Sequence, residues 1–233
     1  MGDEKTMSEE VFIHVGYPKC GSTFLQSNVF PYMTGVHFIH KFMWNQYGWV
    51  HPHFVFECAL HDGMNLISSE SLTGSMSVHD CYADGFVLMD RLKKVYPDAH
   101  VILVERERES WLSSLYQQFL ADAGASQFIG GYDDWYQNHL NHDILRFDEY
   151  RARLVDVFDD VLLLDFDMLR RDTNRFINRI CEFMDVGFPE GYVREPAKTR
   201  LTDRQLRLVR FFGRFGFNHF SNRYVLGLLR RLS

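Results

Sequence analysis

Paired or clustered cysteines are missing from this chain. The four that occur, Cys20, Cys58, Cys81 and Cys181, are scattered through 233 residues with no CxxC and no Cys/His ligand spacing. A disulfide scaffold and a structural zinc site are thereby excluded, and free thiols in a reducing compartment are expected. No apolar run approaches the ~20 residues of a membrane span. The opening segment, Met-Gly-Asp-Glu-Lys-Thr-Met-Ser-Glu-Glu, is polar and acidic, without the basic-then-apolar order of a secretory leader. A cytoplasmic protein is the expectation. Internal repeats and low-complexity linkers are also lacking, which predicts a single domain over 1–233, with a polar extension at 1–10 and a basic helical region at 194–233.

What is present suits an ordinary globular chain: 46% hydrophobic and 24% charged residues, enough for a core without covalent staples. The net charge of −6 hides an asymmetry. From Arg194 onward ten Lys/Arg face two acids, whereas residues 1–193 hold fifteen basic and twenty-nine acidic side chains. The basic end reads as a solvated helical face, an anion-facing lid, or a peripheral contact with an acidic membrane surface. Nucleic acid is not an expected partner, and oligomeric state is not legible.

Short apolar runs alternate with helical spacing. Val11–Val15, Val36–Ile39, Asn65–Ser69, Ala99–Val104 and Val161–Leu164 read as strands. Phe24–Phe30, Phe86–Tyr96, a stretch through Trp111, Leu115 and Phe119, Tyr150–Phe158 and Thr173–Met184 read as helices. This order predicts an α/β fold, a three-layer α/β/α arrangement around a central parallel sheet with right-handed crossovers. Gly16, Glu70, Arg106 and Asp165 each follow a strand, so they are expected along one sheet edge.

The segment Gly16-Tyr-Pro-Lys-Cys-Gly-Ser-Thr23 joins the first strand to the first helix. Two glycines at this spacing, followed by hydroxyl residues at a helix start, suit a phosphate. Yet the residue after Gly21 is Ser22, and the lysine comes earlier, at Lys19, whereas a Walker loop places it directly after the second glycine. The segment resembles the 5′-phosphosulfate loop of the sulfotransferase superfamily, commonly Tyr-Pro-Lys-Ser-Gly-Thr-Thr, with Cys20 in the serine's place. A second likeness is Arg106 after the strand Val101–Val104, with Ser114 eight residues on, similar to the family's 3′-phosphate pair. Arg108 stands where relatives often carry proline and competes with Arg106 for that contact. Asp160–Leu169 and the helix ending Cys181-Glu-Phe-Met184 look like the family's late strand and helix.

The resemblance implies a P-loop NTPase-like sulfotransferase fold. It further implies transfer of a sulfuryl group from 3′-phosphoadenosine-5′-phosphosulfate to a hydroxyl or amine of a carbohydrate or small molecule. Adenosine 3′,5′-bisphosphate would be released, and no metal is needed. Lys19, Cys20, Gly21, Ser22, Thr23, Phe24, Arg106, Ser114 and Arg200 would bind the co-substrate. Lys19 would also stabilise the leaving oxygen. The general base is Glu70 or His40, with Glu70 narrowly preferred. Aromatic residues at 37–61 and 124–142, among them Trp44, Tyr47, Trp49, Tyr132, Trp135 and Tyr136, either receive the acceptor or pack a core, and Lys198 and Arg200 are candidates to close over the nucleotide. Alternatives are a P-loop kinase or NTPase, with Val161–Asp165 as a Walker B strand, and a non-catalytic nucleotide-binding interaction protein.

Overall fold

Each apolar run forms a strand, and all pair in parallel: β1 (Glu10–Gly16), β2 (Val36–His40), β3 (Met64–Ser69), β4 (His100–Glu105) and β5 (Val161–Asp165), in the order β2-β3-β1-β4-β5. In β1, β3 and β4 consecutive residues are buried, not alternate ones, which requires cover on both sheet faces. The edge strands β2 and β5 are buried only in part. The computed structural model describes residues 9–40, 60–73, 81–121, 130–140 and 142–192. The chain divides into two compact units, Met1–Arg106 with Asn141–Glu195, and Glu107–Leu140 with Pro196–Ser233.

The first unit holds the whole sheet. After β1 come α1 (Ser22–Phe24), a π-helical stretch over Leu25–Val29 and a 3₁₀ turn at Phe30–Tyr32. After β3 a 3₁₀ turn, Glu70–Thr73, precedes α2 (Cys81–Val95). In the second unit, α3 (Arg108–Ala121) and α4 (Tyr132–Asn138) are described. Back in the first lie α5 (Phe147–Val157), α6 (Phe166–Arg171) and α7 (Thr173–Met184). Helix α7 buries Phe176, Ile177, Ile180, Cys181 and Met184, the repeating stripe of a helix laid on a core. It starts where Asp172 accepts the Arg175 N–H at 3.0 Å and stops at Asp185 in the left-handed region.

The strand order fixes where a ligand can sit. β1 is central, the chain returns to it on one side as β3 and on the other as β4, and the crevice beyond the carboxyl ends lies at that reversal. The register sets Val15 beside Ser69, Gly16 beside Val104 and Glu105 beside Asp165. Gly16, Glu70, Arg106 and Asp165 therefore share one edge of the sheet, as expected from the sequence. Helices α4 and α6 and the 3₁₀ turn at Glu70 had no separate sequence signal. The N-terminal extension up to residue 8 and the basic region at 194–233 lie outside the described residues.

Candidate functional site

The loop after β1 turns through two left-handed residues, Lys19 at φ 68° and Gly21 at φ 88°. Gly21 has a second reason to be glycine. A Cβ there would stand 2.7 Å from Leu169 Cδ2 and 3.3 Å from Phe166 Cε2, so α6 packs directly under the loop. Cys20 N–H bonds to the Tyr17 carbonyl at 3.2 Å, and Leu25 N–H closes the helix onto Gly21 at 3.1 Å. Tyr17 is buried, packs edge-on against Phe147 and Tyr150, and donates its hydroxyl to the Phe147 carbonyl at 3.2 Å. One end of the loop is thus pinned to α5 and the other rests on α6.

Within the loop Lys19 and Thr23 are exposed, Gly21 and Phe24 are half-buried, and Cys20 and Ser22 are buried. Burial pushes the Cys20 thiol up to about 12, with Arg106 opposing and Glu105 and Glu70 adding to the rise. Such a thiol is no nucleophile at neutral pH. Iodoacetamide at pH 8 is expected to leave Cys20 unmodified in the native protein and to alkylate it after denaturation, as read by peptide mass mapping. Rapid native labelling would contradict this burial.

Arg106 joins the two signatures. Its Nη1 donates to the Lys19 carbonyl at 2.8 Å, and its guanidinium lies 4.6 Å above the Phe166 ring. It thereby holds the carbonyl of a residue whose left-handed backbone is unfavourable for any side chain but glycine. Arg108, by contrast, is exposed at the start of α3. Ser114 is half-buried in the same helix, in the other unit.

Glu70 opens the turn after β3 and is half-buried. Thr73 Oγ1 lies 2.9 Å from the Glu70 carbonyl and 3.3 Å from the Gly16 carbonyl, tying that turn to the loop. Tyr150 donates to the Leu72 carbonyl at 3.3 Å, and Gly85 of α2 brings its backbone so near that a Cβ would meet the Thr73 carbonyl at 2.6 Å. His40 ends β2, beside Ser68 in register, so its strand lies one place farther from β1 than Glu70's. The influence of Glu70 on the Cys20 thiol puts that carboxylate within electrostatic reach of the loop.

Sequence reasoning overlooked Glu105, at the end of β4. Burial raises its carboxyl above the ordinary range, while Arg151, 3.5 Å away, pulls it back. Thr73 and Phe166 were overlooked as well, and Tyr17 was read only as part of the loop motif, because their roles rest on contacts between distant segments. His37, near the candidate His40, stacks on His61 with ring centroids 3.6 Å apart. Asp165 caps α6 by accepting the Asp167 N–H at 2.8 Å and pairs with Arg171 at 3.5 Å. In the second unit Trp135 is buried among Tyr116, Phe119 and Tyr132 and serves packing. Trp44, Tyr47, Trp49, Lys198 and Arg200 lie outside the described residues.

Comparisons with known proteins bear on the family and the fold. Residues 75–190 match the Sulfotransferase family. A sulfotransferase from Alicyclobacillus acidocaldarius superposes with a TM-score of 0.54 at 14% identity, covering 96% of each chain, so the fold is shared. A mouse sulfotransferase complexed with PAP gives a TM-score of 0.47 at 12% identity, over 89% of this chain and 64% of that one. No curated protein matches the chain in sequence. The family match over residues 75–190 and the shared fold together support the sulfotransferase superfamily. The match begins after Glu70, so the loop at 16–23 is a separate observation from it.

Proposed function

We propose that the protein is a sulfotransferase using 3′-phosphoadenosine-5′-phosphosulfate, with a hydroxyl or amine of a carbohydrate or small molecule as acceptor. The observation that carries this reading is the loop. Its lysine precedes the second glycine, its backbone turns left-handed at Lys19 and Gly21, and a buried Ser22 hydroxyl with no hydrogen-bond partner among the described residues lines it. A glycine-bracketed turn with an unsatisfied buried hydroxyl fits an anion that the hydroxyl can bond.

The phosphosulfate would supply the electrophilic sulfur. Lys19 stabilises the negative charge growing on the leaving oxygen, assisted by Ser22 and Thr23, while Cys20, Gly21 and Phe24 complete the loop. Arg106 and Ser114 are proposed for the 3′-phosphate, on their spacing along the chain and the resemblance it carries. Arg106 is favoured over Arg108 because it is already fixed against the loop carbonyl. Glu70 takes the acceptor's proton. Arg200 as a nucleotide contact, a single catalytic domain and a cytoplasmic location complete the reading. Among the described residues no helix is long and apolar enough to cross a membrane.

The kinase or NTPase reading is less well supported. Lys19 is misplaced for it, and the Asp165 carboxylate that would bind magnesium is engaged by the α6 cap and Arg171. Calorimetry in EDTA separates the two. Metal-independent, micromolar binding of adenosine 3′,5′-bisphosphate is expected, together with labelled sulfuryl transfer to some member of an acceptor panel. Binding of ATP with magnesium and none of the bisphosphate would overturn the proposal.

A further inference from the structure

The parallel pairing of β1 with β3 runs from Glu10 and Met64 to Val15 and Ser69 and stops there. One place further on the two segments part. Gly16 leads into the anion loop, and Glu70 opens the 3₁₀ turn. Up to this fork the strands are locked together. Their ladder is backed by buried side chains: His14 Nδ1 lies 2.7 Å from Ser68 Oγ, and the Gln26 amide donates to the same oxygen at 3.0 Å. Past the fork the ladder gives no further hold on the loop and the turn.

One side chain spans the gap. Thr73 is only 3% exposed, and its Oγ1 lies 2.9 Å from the Glu70 carbonyl and 3.3 Å from the Gly16 carbonyl. A hydroxyl has a single proton, so the two carbonyls share it in a three-centre bond whose shorter arm goes to Glu70. The carbonyls it joins belong to the two residues that the register would pair next. Thr73 is itself held through its backbone. Gly85 of α2 comes so close that a Cβ there would stand 2.6 Å from the Thr73 carbonyl. Tyr150 donates to the neighbouring Leu72 carbonyl at 3.3 Å. Tyr150 also meets Tyr17 of the loop edge-on, with ring centroids 5.9 Å apart, so a second and longer link runs through α5.

We infer that Thr73 is a positioning residue for the transfer reaction: its hydroxyl sets the separation between the loop that holds the donor and the turn that carries Glu70. The inference rests on the proposed function for the roles of that loop and that carboxylate. Reacting groups carried on two segments need a fixed distance between them, because a misplacement of about 1 Å can cost ~10²-fold in rate. The Thr73 bond acts at the root of both segments, where a small rotation displaces the Glu70 carboxylate relative to the loop. The link through α5 and the packing of Gly85 do not depend on the hydroxyl, so its loss loosens the fork without dismantling it.

The test compares Thr73→Val, which keeps the shape of the side chain but lacks its proton, with Thr73→Ser, which keeps the proton. Single-turnover transfer from labelled donor is measured on the full chain, and calorimetry gives the affinity and number of sites for adenosine 3′,5′-bisphosphate. Thr73→Val is expected to transfer about 30-fold more slowly, with bisphosphate affinity within about threefold and the number of sites unchanged. Thr73→Ser should recover to within about threefold of the wild-type rate. In a Glu70→Gln background the valine should cost less than about twofold, because no base is left to misplace. A purely structural loss would instead reduce the number of sites and slow both backgrounds alike. If Thr73→Val does not fold, Gly85→Ala shifts Thr73 through its backbone and leaves the hydroxyl in place. That variant should slow transfer with Glu70 present and leave the Glu70→Gln rate unchanged. Wild-type transfer by Thr73→Val, equal penalties in both backgrounds, or serine no better than valine would overturn the inference alone. Absence of transfer by the wild type to every acceptor would overturn the proposed function, and the positioning role with it.

Discussion

Lys19→Ala is expected to lower the rate of sulfuryl transfer by about 10²–10³, the usual loss when one preorganised group facing developing charge is removed. Affinity for adenosine 3′,5′-bisphosphate should fall much less, because the loop backbone and Arg106 remain. Substitution at this position changes two properties at once. The lysine supplies charge, and it also occupies a left-handed backbone angle, φ 68°, that costs a non-glycine residue about 1–2 kcal/mol. Arg106 offsets part of that cost by bonding the Lys19 carbonyl at 2.8 Å. Lys19→Gly separates the contributions, since glycine accepts the angle without strain and has no charge. If charge is what matters, both variants lose turnover to the same extent. Recovery in the glycine variant, measured as single-turnover rates with labelled donor, would reassign Lys19 to shaping the loop.

How far such a site can be read from residues alone depends on whether its parts are local. Gly16, Lys19, Gly21 and Ser22 lie within seven consecutive positions, and their order alone separates this loop from a Walker loop. The five strands were legible for a similar reason. Buried parallel strands are short apolar runs bounded by turn residues, and Val11–Val15 and Ala99–Val104 could hardly be anything else. Helix α7 kept the bounds Thr173–Met184 because Asp172 caps one end and its apolar stripe ends at the other.

The unread parts are those fixed by contacts between distant segments. Thr73 reaches Gly16 across 57 residues, and Tyr17 reaches Phe147 across 130. Nothing near either residue in the chain announces the partner. Helix α6 is hidden because Phe166–Arg171 follows β5 with no intervening turn, so one apolar stretch serves two elements. His14 did carry a signal, a polar ring inside an otherwise apolar strand. Its meaning needed Ser68 opposite, and that pairing is a property of the sheet. The acceptor end has no comparable motif, and the aromatic segment at 41–59 lies outside the described residues.

Glu70→Gln is expected to cost about 10²–10⁴ in transfer rate, the range for loss of a general base, while binding of adenosine 3′,5′-bisphosphate stays within about twofold. The substitution keeps the size of the side chain and leaves the surrounding turn in place. Thr73 still bonds the Glu70 and Gly16 carbonyls, and Tyr150 still bonds Leu72. What is lost is the proton acceptor. The sheet order argues for Glu70 over His40, because β3 adjoins the loop strand whereas β2 lies beyond it. A strand spacing of about 4.8 Å matters when a base must come within ~3 Å of the acceptor's proton-bearing atom. The rival makes an opposite prediction. If His40 were the base, His40→Gln would show the large loss and Glu70→Gln would turn over at nearly the wild-type rate. A rate loss in Glu70→Gln that grows with acceptor pKa would identify proton removal as the missing step, since a merely orienting carboxylate would reduce all acceptors alike.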